Sequence, residues 1–180
     1  ISRICERAGL PVSSLYWFFE DKDDLFAEVV QHSWDEWYAE QPQWRIPREG
    51  QTRADALRTI LYQAARSLQA APPFIRIGHM LTLEQQSTEI AARMQFLKVR
   101  TGIMEHITAW FRQTLPPESL ARHPDLAAVC TLGVVAFTDG YFLGALVEPS
   151  DQPAGERPIV PFVEFAVDVL ESAALHPLSS

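Results

Sequence analysis

A chain of 180 residues with 47% hydrophobic and 21% charged side chains amounts to about one domain, or one domain and a small appendage, with enough apolar residues to exclude disorder. Its net charge of −8 excludes a protein that coats nucleic acid nonspecifically, but not a small DNA-reading face on an acidic body. Cys5 and Cys130 are lone thiols that fit a reducing cytoplasm, no signal peptide is visible, and no apolar run approaches the roughly 18 residues that span a bilayer.

Ile1, Ile4, Cys5 and Ala8 form a helical stripe that stops at Gly9. A second, short helix is predicted from about Pro11 to Phe19, with proline in its first turn. A third begins near Asp21, where early acids suit a helix N-terminus, and carries Leu25, Phe26, Val29, Val30, Trp34 and Trp37 along one side. The stretch "AEQPQWRIPREGQT" breaks the pattern. It reads as the linker between an N-terminal module over residues 1–40 and a body over residues 41–180.

In the body, Thr52 and Asp55 resemble a capping box opening a helix with Leu57, Ile60, Leu61, Ala64 and Leu68 inside. A short helix follows around Phe74 to Leu83, and the longest runs from about Ser87 to Leu115 with two apolar stripes. Leu126 to Leu146 is apolar nearly all round, which implies burial on all sides. A hairpin turning at Asp139-Gly140 is the alternative there, with no second strand to pair with it. The last helix, about Pro158 to Leu175, confines its acids to Glu164, Asp168 and Glu171. The fold class is all-α.

Two helices joined by a tight glycine turn make a helix-turn-helix when the crossing residue is small, the turn has an apolar plug and the second helix has an inward stripe. Cys5, Leu10 and the set Leu15, Phe18 and Phe19 meet these conditions by spacing. Ser13, Ser14, Tyr16 and Trp17 are left on or near the outer side.

The segment "ISRICERAGLPVSSLYWFFEDKDDLF" resembles the DNA-binding module of the tetracycline-repressor (TetR) family. Ile4-Cys5, Ala8-Gly9, Leu15-Tyr16, Phe19, Lys22 and Leu25 hold the places of that family's pattern, whose first helix would precede Ile1. Pro11 replaces a serine that often caps the recognition helix, and Phe18 stands where histidine or tyrosine is common. The resemblance implies an N-terminal helix-turn-helix followed by a helical ligand-binding and dimerisation body.

With that resemblance, Lys22 at a helix N-terminus would clamp a phosphate, and Tyr16 would donate its hydroxyl to another. Ser13, Ser14 and Trp17 would face the major groove, where an aromatic ring can pack on a thymine methyl, and Arg3 would touch the backbone. Against this stands the local charge: residues 1–30 hold three bases and six acids, a net −3.

A small apolar or amphipathic effector is expected in the body, lined by Phe74, His79, Leu83, Phe96, Met104, His106, Trp110, Phe137 and Tyr141. The last two long helices are too apolar to face water alone. Leu132, Phe142, Phe162, Phe165 and Val169 are therefore expected in a homodimer interface, which suits a palindromic double-stranded DNA operator. No catalytic motif, metal ligand set, cofactor or membrane association is read from the chain. The rival readings are a helical interaction module with weak DNA binding, and a metal-dependent helical enzyme using the acids of Asp21 to Asp24.

Overall fold

The structure, a computed structural model, describes residues 2–39, 41, 43–69, 73–83, 90–147 and 158–175. The described residues form the helices α1 (Ser2–Ala8), α2 (Val12–Leu15), α3 (Lys22–Ala39), α4 (Arg53–Gln69), α5 (Pro73–Leu83), α6 (Ile90–Thr114), α7 (Pro117–Arg122), α8 (Leu126–Val147) and α9 (Ile159–Leu175), with no strand among them. The expected start of the long helix at Ser87 and the loop over 148–157 lie outside the described residues. Asp139 and Gly140 sit inside α8, so the hairpin alternative falls.

The chain divides into two units, where the sequence suggests a boundary near residue 40. The first unit joins residues 1–39 to Pro73–Arg100. The reason is aromatic. α3 carries Trp34 and Trp37, and these rings are covered by Phe74 of α5, at 5.1 and 6.0 Å between centroids. Phe74 in turn meets Phe96 of α6 at 5.2 Å, and Val30, Leu81 and Ala92 close the core around them. A Cβ added at Gly78 would fall inside the Phe96 ring, so α5 and α6 approach as closely as only glycine allows.

The second unit, Glu40–Pro72 with Thr101–Ser180, is built on α4 packed against α8 and α9. Its first helix starts as the sequence indicates. Asp55 donates its amide to the Thr52 hydroxyl (3.1 Å), and Thr52 returns its own amide (3.1 Å) and hydroxyl (2.6 Å) to the Asp55 carboxylate. These bonds, with Arg58 alongside, hold the Asp55 carboxyl below its usual range. The acid stripe of α9 is occupied by α4: Arg53 grips Glu171 through two nitrogens at 2.7 and 2.9 Å and donates a third bond to the Thr114 carbonyl, while Arg58 pairs with Glu164 at 2.7 Å.

Two expectations for α8 are corrected. It is not buried on all sides: Cys130, Thr131, Val134 and Phe142 lie inside, whereas Val129, Leu132, Leu146 and Val147 are exposed. It is also long and apolar enough, by length and composition, to cross a membrane, because its single acid, Asp139, is diluted among apolar residues.

Candidate nucleic-acid interface

The candidate interface is assembled from the first 26 residues, and its shape follows from how α1 ends. Gly9 takes φ 66°, the amide of Leu10 donates to the Cys5 carbonyl at 3.0 Å, and the amide of Gly9 donates to the Glu6 carbonyl at 3.3 Å. That pair of bonds is a Schellman stop, which needs a left-handed residue and finds it in glycine. Cys5 is buried, as a crossing residue must be. Leu10 is not the plug that was expected: it is 56% exposed, its backbone rather than its side chain being held by the stop.

After Pro11, which supplies no side-chain cap, α2 makes only one turn, Val12 to Leu15. Residues 16–18 then tighten into a turn in which the Leu15 carbonyl accepts the amides of both Phe18 and Phe19 at 3.0 Å. The helical phase that placed Phe18 beside Leu15 and Phe19 assumed a helix continuing to residue 19. It ends four residues earlier, and Phe18 is 80% exposed while Leu15 and Phe19 remain half-buried.

Most of the predicted contact residues are exposed. Trp17 is 87% and Tyr16 55% exposed, Ser13, Lys22 and Arg3 are exposed, and Ser14 is half-buried. The Lys22 ammonium lies 5.0 Å from the centre of the Phe26 ring, at the start of α3. The amides there are less available to a phosphate than expected, since Asp24 donates its own to the Asp21 carboxylate at 2.9 Å.

The acids of this region have structural employment. Asp21 caps α3, Asp24 accepts the Glu20 amide at 3.2 Å, and Asp23 accepts the amides of Ala91 and Ala92 at the start of α6. Among the described residues no group of three or more His, Cys, Asp or Glu side chains is placed to hold a metal ion. His32 and Glu36, one turn apart at 3.4 Å, form an exposed pair.

Residues 1–29 match the family model described as "Bacterial regulatory proteins, tetR family". Over these residues the N-terminal module is similar to the tetR family. The match covers both helices of the helix-turn-helix, the aromatic turn and the first part of α3. No curated protein matches the chain. The match supports a DNA-binding transcriptional regulator, and the described residues are all-helical with an N-terminal helix-turn-helix.

The expected effector residues are divided between the two units. Phe74, His79, Leu83 and Phe96 belong to the first unit and Met104, His106, Trp110, Phe137 and Tyr141 to the second. Phe74 and Phe96 are buried core of the first unit: Phe74 covers Trp34 and Trp37, and Phe96 packs on Phe74. Trp110 is also core: it stands edge-on to Trp44, and its indole donates to the Arg45 carbonyl at 2.8 Å, holding the linker segment. Tyr141 accepts a bond from the Gln69 amide at 2.8 Å and packs on Phe162. Leu83 and His106 are exposed, and His79, Met104 and Phe137 are half-buried.

Of the expected interface residues, Leu132, Phe165 and Val169 are exposed on α8 and α9. Phe162 is half-buried against Phe137 and Tyr141. Phe142 is corrected: at 1% exposure it faces the core of its own unit, on the side of α8 opposite the exposed stripe.

Proposed function

We propose that the protein works in the cytoplasm as a homodimeric repressor that binds a palindromic operator and is released by a small apolar or amphipathic molecule. The observation that carries this reading is the tetR-family match over a helix-turn-helix whose Ser13, Tyr16, Trp17 and Lys22 are exposed. Asp21, Asp23 and Asp24 accept backbone amides and so have structural roles, but they keep their charge.

Dimerisation is supported by the exposed apolar side of α8 and α9, where Leu132, Leu146, Phe165 and Val169 face solvent in a single chain. The same pairing accounts for α8 without a membrane, since its other side is occupied by α4 and α9. An effector is supported by a second helical unit with its own packing of α4 against α8 and α9. The reading assigns no catalysis, metal or cofactor to the chain.

The test is selection of bound duplexes from a random pool by the full-length protein. A tetR-like repressor enriches an inverted repeat, and the absence of any sequence preference at moderate salt overturns the reading. The local charge of −3 favours one rival, an interaction module with little DNA affinity. Lys22→Ala separates the two: the regulator loses affinity and about one unit of salt slope, whereas the rival is unaffected.

A further inference from the structure

Phe18 and Trp17 are neighbouring large apolar side chains, 80% and 87% exposed, in the turn that directly follows the reading helix α2. Both lie inside the segment that matches the tetR-family model. Burying one in the core would have been the ordinary outcome, and the early end of α2 prevents it for Phe18. Neighbouring rings do not cover it either: Phe26 lies under the Lys22 ammonium, and Phe19 is half-buried.

A phenyl ring forms no strong hydrogen bond with a base edge, and an indole offers only one donor. What such rings can do in a major groove is exclude water from its one apolar feature, the 5-methyl group of thymine. The charge of the region agrees. Residues 1–30 hold three bases against six acids, so within this segment apolar contact has a larger share of the work than phosphate neutralisation does.

We propose that Phe18, together with Trp17, forms an aromatic reader of thymine methyl groups, so that each half of the operator carries thymine under the turn over residues 16–18. The inference rests on the DNA-binding reading above and adds a residue and a base class to it. Exposure makes the test clean, because substitution of Phe18 removes no core contact.

The experiment takes the duplex selected by the full-length protein and replaces its thymines one at a time by deoxyuridine, which keeps the base pair and removes only the methyl. Binding of the wild-type protein is expected to weaken about fourfold (roughly 0.8 kcal/mol) at one or two positions in each half-site. At those positions Phe18→Ala should bind the thymine and deoxyuridine duplexes equally, and Phe18→Leu should keep part of the difference. Insensitivity to deoxyuridine everywhere would overturn the proposal, as would a penalty that Phe18→Ala leaves intact; in both cases sequence selection itself would survive. A protein that selects no duplex at all would instead remove the DNA-binding reading, and this inference with it.

Discussion

The carboxylate of Asp23, one residue after Lys22, accepts the backbone amides of Ala91 at 2.7 Å and Ala92 at 3.1 Å. A side chain at the start of α3 therefore caps the N-terminus of α6, a helix more than sixty residues away in the chain. The capped amides are among the few that a helix cannot satisfy internally, and a carboxylate there also meets the positive end of the helix dipole.

Removing that cap should both destabilise the head and loosen the placement of Lys22. Asp23→Ala is expected to cost about 0.5–2 kcal/mol in denaturant unfolding and to weaken operator binding. Asp23→Asn, which keeps an acceptor, should restore most of both. Equal behaviour of the two variants would show that the capping bonds contribute nothing.

Gly9 has a conformational rather than a steric task. No heavy atom outside its neighbours lies within 4 Å of a Cβ built there, so the whole penalty of substitution is its φ of 66°. Gly9→Val should cost at least about 1–2 kcal/mol locally and abolish operator binding while leaving sedimentation as it is in the wild-type protein. Gly9→Asn, which tolerates the left-handed region, should retain binding; normal binding by the valine variant would mean the turn is placed wrongly.

The two α4–α9 ion pairs should differ in weight. Arg53 is nearly buried and uses three donors, whereas Arg58 and Glu164 are both open to solvent. Glu171→Gln is expected to cost on the order of 2 kcal/mol, because it leaves a desolvated guanidinium half-paired. Glu164→Gln should cost about 0–1 kcal/mol and less in high salt. Chemical denaturation of the two variants decides it, and equal losses would refute the distinction.

Cys130 makes stability pH-dependent on the alkaline side. Burial pushes its thiol up from 9.0 to about 11, so the folded protein keeps a proton that the unfolded chain releases. Its contribution is complete below pH 9 and is lost as pH rises through about 11, at no more than about 1.4 kcal/mol per pH unit. Thiol reagents should leave Cys130 unmodified in the native protein at neutral pH, and Cys130→Ala should flatten the decline between pH 9 and 11. An unchanged decline in that variant would assign it to other groups.

The helices were legible because their apolar spacing and punctuation are strong: the Thr52–Asp55 cap and the glycine stop at Gly9 both work locally. Three things were not. Phe18 was misplaced because periodicity presumes that a helix continues, and nothing in "SSLYWFFE" marks the stop after Leu15. Phe74 and Phe96 were read as effector lining because an aromatic residue on a helix face looks alike in a cavity and in a core; their partners, Trp34 and Trp37, lie far off in sequence. The reach of Asp23 to Ala91 is likewise a long-range bond with no local signature, so the acid run read only as charge at a helix start.

The central claim, that the side of the head bearing Ser13 and Trp17 meets the major groove, is tested most directly by photocrosslinking. Thymines of the selected duplex are replaced by 5-iodouracil, whose iodine occupies the place of the methyl group, and the attached peptide is identified by mass spectrometry. The account predicts attachment within residues 13–18, at Trp17 or its aromatic neighbours. Attachment confined to any other surface of the protein would contradict it.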